Sequence, residues 1–228
     1  MADERENIYA AVGLHPDNVK EECFDLAKYR ELARNKRVVA IGETGLDYHR
    51  INDQGPIIKN LQKELFLKHL ELARELELPI ILHCRGSKES PRGAYEELME
   101  ILQAAAVKTG QANCEPRAVI HCFSADWEIA QKFLNLGFYL GFTGNITYPV
   151  KKPDAPAAQL LAVVKNAPLD RILTETDCPY LAPQSARGQR NEPQYVRFVL
   201  EKIAEVKNLS FGEAEEITVQ NAEALFKI

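Results

Sequence analysis

The chain has 228 residues, a formal net charge of −5, 46% hydrophobic and 27% charged residues, 12 Gly and 12 Pro, which excludes a disordered chain, a collagen-like repeat and a disulfide scaffold. At that charge no broad cationic surface is available for non-specific nucleic-acid binding, so any phosphate chemistry must be local. The five cysteines, Cys23, Cys84, Cys114, Cys122 and Cys178, are odd in number and form no CxxC pair, so they read as reduced and structural.

The first residues carry no apolar core of signal-peptide length, and no apolar run approaches the ~20 residues of a membrane span, so the expectation is a cytoplasmic protein, or a nuclear one in a eukaryote, with no membrane partner. Short apolar runs then alternate with longer helical patterns. The runs cover residues 8–13, 38–42, 79–84, 118–123, 138–142 and 171–176. They are apolar on both faces, as strands buried in a parallel sheet are. Helix spacing fills residues 59–77, where Leu61, Leu65, Leu72 and Leu76 repeat on one face before Pro79, and also 94–108, 126–136, 157–165, 194–207 and 211–226. Gly137 is placed to end the helix at 126–136, and Ser210 with Glu213 forms a capping box at the last one. A βαβα order without a polar linker predicts one α/β domain over residues 1–228, of the TIM-type (β/α) barrel class.

The unusual polar clusters all follow strands directly. They are GETGLDY at 42–48, HCRGS at 83–87, HCFSA at 121–125 and ETDCPYLAP at 175–183. In a parallel barrel the C-terminal strand ends share one rim, where Glu43, His83, His121 and Asp177 are expected to converge. Two imidazoles and two carboxylates suit a divalent ion such as Zn²⁺ or Mn²⁺. Glu43 follows a wholly apolar strand, where an unpaired carboxylate costs several kcal/mol. Glu175 competes with Asp177 for the same role. Arg187 and Arg190 supply two guanidinium forks in a later loop, a local phosphate clamp on an acidic chain. Tyr48 and Tyr180 have two readings, stacking on a base or burial with a hydroxyl partner.

The ordered motifs VGLHP, GETGLDY, the Gln62 and Phe66 helix, HCR, HCFS, ETDCPYLAP and RGQRNEP together resemble the TatD family of metal-dependent deoxyribonucleases, over essentially the whole chain. The resemblance implies a barrel of the amidohydrolase-like type that hydrolyses phosphodiester bonds of DNA with divalent metal (Zn, Mn or Mg). By motif position Glu43 is similar to the metal-bridging glutamate, and His83 and His121 to ligands of the second metal. Asp177 is similar to the aspartate that binds the first metal and acts on the nucleophilic water. His15, Arg187, Arg190 and Asn191 resemble residues near the substrate phosphate.

The family pattern also opens with a His-x-His strand, and this sequence contains no such pair. Six strand-like runs stand where a closed barrel needs eight, and two further βα units of ~30 residues each would supply the difference. The reading is therefore a barrel incomplete at its N-terminus, about six of eight units, holding at most one tightly bound metal ion where the complete pattern holds two, with reduced or absent nuclease activity. An open edge would favour a dimer or a covering partner. Ester or amide hydrolysis on a nucleic-acid-linked substrate, and an inactive homologue acting as a binding protein, are the alternatives.

Overall fold

The computed structural model describes residues 2–49, 51, 55–109, 117–153 and 155–228, with side chains omitted at 106–109. The chain divides into two compact units, Met1–Val119 with Leu225–Ile228, and Ile120–Ala224. Cys114, read as a structural thiol, lies outside the described residues.

In the first unit the strands β1 (Ala10–Val12), β2 (Val38–Asp47) and β3 (Ile80–Arg85) run parallel in chain order. The N–H of Ile80 donates to the Arg117 carbonyl (2.8 Å), just ahead of β4 (Ala118–Ile120). Helices α1 (Leu26–Ala33), α2 (Gly55–Glu75) and α3 (Gly93–Thr109) fill the crossovers. Helix α1 was not expected. Its capping signal is present, since Asp25 Oδ1 accepts from the N–H groups of Ala27 (3.0 Å) and Lys28 (3.2 Å). Ala33 is its one buried residue, however, so it lacks the apolar stripe that marks α2. Ile41, Leu46, Phe66, Leu70, Leu72, Ile80 and Leu82 are fully buried, each worth roughly 1.5–3 kcal/mol against exposure.

Strand β2 is the element that positions the chemistry. It was expected to stop at Gly42 and instead runs through the whole GETGLD segment to Asp47. Ile41 pairs with Ile80 but Thr44 with Leu82, so three steps along β2 oppose two along β3. The extra residue is a bulge at Gly42 and Glu43, the device by which a strand re-aims a side chain. Beyond the bulge Gly45 pairs with His83, and a Cβ there would stand 2.1 Å from the His83 carbonyl oxygen. Only glycine lets β2 pass so close to β3.

The second unit holds α4 (Trp127–Asn135), β5 (Tyr139–Phe142), α5 (Pro156–Asn166), β6 (Ile172–Thr174), α6 (Val196–Lys207) and most of α7 (Phe211–Phe226). Strands β5 and β6 are parallel, with Leu140 opposite Ile172 and Phe142 opposite Thr174. Phe123, Phe133, Phe138, Phe142, Val163, Ile172 and Ile203 are buried at its core. The expected stops are present. Gly137 takes a φ of 80° after α4, and Ser210 and Glu213 exchange bonds at the start of α7, Ser210 N to Glu213 Oε2 at 2.8 Å and Glu213 N to Ser210 Oγ at 3.3 Å. β4 and β6 end at Ile120 and Thr174, short of their apolar runs, and the chain takes a positive φ soon after each, at Cys122 (φ 48°) and Asp177 (φ 58°). His121 and Asp177 consequently sit in turns just past the strands.

Candidate metal centre

The bulge in β2 and the end of β3 bring Glu43 and His83 into contact, His83 Nδ1 lying 2.6 Å from Glu43 Oε1. His15, just after β1, joins them with Nε2 3.2 Å from His83 Nδ1 and 3.9 Å from Glu43 Oε1. Two imidazole nitrogens and one carboxylate oxygen thus gather within 4.8 Å of one another. A mixed N₂O donor set of that span matches the chemistry of a borderline-soft divalent cation. His15, expected near the substrate phosphate, stands among the candidate donors.

The far side of His83 is held as firmly. Nε2 lies 2.8 Å from Oδ2 of Asp47, whose other oxygen accepts from the His49 N–H at 2.9 Å. Gln62, buried on α2, fixes this carboxylate through its backbone: Asp47 N–H donates to Gln62 Oε1 (3.0 Å), and Gln62 Nε2 donates to the carbonyls of Asp47 (3.0 Å) and Pro16 (3.2 Å). One side chain therefore ties the end of β2 to the loop that carries His15. Burial works against charge on His83, but the bonds and charges of Asp47 and Glu43 outweigh it and lift its pKa to about 9. Burial, then the neighbouring His83, lower the pKa of His15. Burial opposes ionisation of Asp47, yet the His83 ring and the His49 amide hold its pKa below the usual carboxylate value.

The second unit repeats the pattern. His121 Nδ1 lies 2.8 Å from Glu175 Oε2 and its Nε2 3.4 Å from Asp177 Oδ1. Glu175 Oε2 also accepts from the N–H of Cys122 at 3.0 Å. Glu175, weighed as a rival to Asp177, is a partner of the same histidine. Arg187 and Arg190 are exposed, with the Arg187 guanidinium 4.0 Å from the centre of the Tyr148 ring. Asn191 is buried and committed to its own loop. Its Nδ2 donates to the carbonyls of Thr176 and Tyr180, both at 2.6 Å, and its Oδ1 accepts from Glu192 N–H at 2.9 Å. It braces the turn bearing Asp177, and its amide is not free for a phosphate.

The two tyrosines part company. Tyr48 is buried with its hydroxyl bonded to Glu97, whereas Tyr180 is 70% exposed. His69 is a buried histidine of α2, its ring bonded to backbone at both nitrogens. Sequence reasoning did not single out Asp47. The signal was the one used for Glu43, a carboxylate following apolar residues in the same motif.

No helix among the described residues is long and apolar enough to cross a membrane. The family described as TatD related DNase matches residues 1–227. An uncharacterized metal-dependent hydrolase of Bacillus subtilis, YabD, is 42% identical over 230 residues, covering 100% of this chain and 81% of that protein. A protein of Cronobacter sakazakii named 3'-5' ssDNA/RNA exonuclease TatD is 33% identical over 226 residues, covering 97% of this chain and 78% of its own length. The crystal structure of YjjV, a TatD homologue of Escherichia coli K12, aligns with a TM-score of 0.82 at 28% identity, over 100% of this chain and 80% of that one. The α/β barrel class read from the strand pattern is borne out by that likeness. With the family matched from end to end, the chain belongs to the TatD related DNase family of metal-dependent hydrolases.

Proposed function

We propose that this hydrolase cleaves phosphodiester bonds of DNA. The observation that carries the reading is the convergence of His15, Glu43 and His83 on one point, in a chain 33% identical to a relative named as an exonuclease. His15 Nε2, Glu43 Oε1 and His83 Nδ1 are the donors proposed to hold a divalent ion, and His121 and Asp177 are proposed as a separate donor pair of the second unit. Such an ion supplies Lewis-acid stabilisation of the charge that grows on a phosphoryl oxygen during displacement.

The remaining roles belong to the chain itself. Asp177 accepts the proton of the attacking water, held in its turn by the Asn191 brace. The exposed Arg187 and Arg190 take the substrate phosphate through charge-assisted hydrogen bonds. Arg187 is steadied for this by the Tyr148 face. Glu43, whose carboxyl contacts His83, favours cations over anions at that point.

The deciding experiment compares single-stranded DNA, duplex DNA, a phosphodiester dye and a carboxylic ester dye with Mg²⁺, Mn²⁺ or Zn²⁺ and with chelator. DNA and the phosphodiester dye are expected to be cleaved, with activity abolished by chelator and by Asp177→Asn. Turnover of the ester dye alone would reassign the substrate class. Activity indifferent to both chelator and Glu43→Ala would overturn the metal reading.

A further inference from the structure

The most exposed large apolar side chain among the described residues is Tyr180, at 70%, and it stands on the turn that follows β6, shortly after Asp177. Cys178 and Pro179 beside it are exposed as well. Exposed turns are commonly mobile, yet the backbone of this one is held on both sides. Tyr180 N–H donates to the Asp177 carbonyl at 2.8 Å, and its own carbonyl accepts from Asn191 Nδ2 at 2.6 Å. The Pro179 carbonyl accepts from the Asn191 N–H at 3.1 Å. Further along, the Ala182 carbonyl accepts from the Tyr148 hydroxyl at 3.1 Å, and Gly144 packs so close that a Cβ there would stand 2.2 Å from the Leu181 carbonyl oxygen. The backbone is fixed while the ring is offered to solvent.

The same stretch of chain carries the kinds of group that a nucleotide needs. Asp177 offers a carboxyl group that is 30% exposed, and the exposed Arg187 and Arg190 offer guanidinium groups. Arg187 lies over the Tyr148 ring at 4.0 Å, and the hydroxyl of that ring bonds the Ala182 carbonyl. Tyr148 therefore links the arginine to the turn that bears Tyr180. Charge-assisted bonds suit a phosphate, but they leave the flat, apolar face of a base without a partner. A tyrosine ring supplies one, and with only two side-chain torsions to fix it loses little freedom in doing so. Tyr48, buried with its hydroxyl on Glu97, is closed to that use.

We propose that Tyr180 is a base-binding residue, its ring stacking on a nucleobase next to the phosphate taken by Arg187 and Arg190. The proposal rests on the phosphodiester reading above and adds to it the part of the nucleotide that the charged groups leave unbound. Stacking tolerates any base, so Tyr180 separates nucleotides that carry a base from those that do not, rather than one base from another. It also requires a base whose face is free, and in a duplex both faces are covered by neighbouring bases. Asn191, which braces the turn bearing Asp177, braces the stacking platform with the same two bonds.

The test is a cycle between protein and substrate. Short single-stranded oligonucleotides, intact or with one abasic tetrahydrofuran residue placed in turn at each nucleotide, are cleaved by the wild type and by Tyr180→Ala with the divalent ion that supports cleavage. In the wild type one abasic position is expected to lower kcat/KM about 5- to 150-fold, mostly through KM. Tyr180→Ala is expected to lose as much on the intact strand and less than about twofold more when that base is removed. Tyr180→Phe and Tyr180→Trp keep a ring and are expected to restore most of the loss. Losses that add at every position overturn the proposal. Fluorescence gives a readout independent of turnover. Trp127 is the single tryptophan, so Trp127→Phe combined with Tyr180→Trp places the lone indole at the site. Its emission is expected to be quenched by a phosphorothioate oligothymidylate and not by an abasic strand of the same length. Emission unmoved by oligothymidylate at concentrations that saturate binding, followed by anisotropy of a labelled strand, overturns the stacking role. A Tyr180→Ala variant that alters the sedimentation of the chain but not the cycle assigns the ring to a self-contact and likewise overturns it. A wild type that neither cleaves nor binds the intact strand defeats the phosphodiester reading itself and this inference with it, whereas cleavage with an additive cycle defeats the role of Tyr180 alone.

Discussion

The backbone N–H of Leu14 donates to Nε2 of His69 at 3.0 Å, in the core beneath the loop that carries His15. The other ring nitrogen, Nδ1, lies 2.9 Å from the Leu65 carbonyl. One nitrogen must therefore accept while the other donates, which only the neutral ring can do. Burial lowers the pKa of His69 to about 4. Above pH ~6.5 the ring is neutral both folded and unfolded and adds no pH dependence. Between about 6.5 and 4 the unfolded ring takes a proton that the folded ring refuses, so stability falls as the pH drops, by about 2 kcal/mol at pH 5. Urea unfolding at pH 7.5 and 5.0 is expected to show a smaller loss for His69→Gln than for the wild type, by about that amount. Equal losses would refute a neutral buried ring.

Asn191 offers a test of the loop that bears Asp177. Its amide donates to two carbonyls of that loop, Thr176 and Tyr180, while its own N–H donates to the Pro179 carbonyl at 3.1 Å. Asn191→Ala leaves both carbonyls without their donor at a buried position, at a cost of about 1–3 kcal/mol each where water cannot replace it. A loss of about 2–3 kcal/mol in chemical denaturation is expected, with a parallel fall in kcat. A change below about 0.5 kcal/mol would show that the loop keeps its shape without the brace.

Much of this molecule is legible in its sequence because buried parallel strands have few disguises. Each of the six apolar runs overlaps a strand, and the motifs that end them carry the candidate donors. What escaped notice was set by contacts remote in sequence. β2 continues past Gly42 because Gly45 can lie against the His83 carbonyl and because a bulge absorbs the extra residue. Neither follows from local pattern. The positive φ of Cys122 and of Asp177, just past β4 and β6, is something residue type alone does not announce. Asp47 was not singled out and Glu175 was weighed only as a rival to Asp177, and their pairing with His83 and His121 is a fact of three dimensions. Asn191 matched a phosphate-binding motif by position, and its burial and bonding give it a different task.

The start of α7 tests a feature read from sequence and found in the structure. Ser210 Oγ and the Glu213 carboxylate close a reciprocal cap, and the hydrogen bonds to Ser210 also lower the Glu213 pKa. Ser210→Ala is expected to cost about 1 kcal/mol, and Glu213→Ala to cost less in the Ser210→Ala background than in the wild type. A double-mutant cycle measures the coupling. Additive losses would mean that the two side chains act independently.

Metal stoichiometry and its pH dependence bear most directly on the proposed function. Among the described residues one cluster of three candidate donors is present, His15, Glu43 and His83. Metal analysis after exhaustive dialysis is expected to find one tightly held divalent equivalent per chain, absent in Glu43→Ala. Two tight equivalents would contradict the single-site expectation. The proton on His83 supplies an independent check. With a pKa lifted to about 9 by Asp47 and Glu43 against the effect of burial, the ring is protonated in the metal-free chain at neutral pH and must release that proton to bind through nitrogen. His15, held below its ordinary pKa by burial and by His83, is already neutral there and adds little. Zn²⁺ affinity is therefore expected to rise roughly tenfold per pH unit between pH 6 and 8, levelling off only near pH 9. Calorimetry in buffers of differing ionisation enthalpy counts the released proton directly. An affinity flat across that range would remove His83 from the donor set.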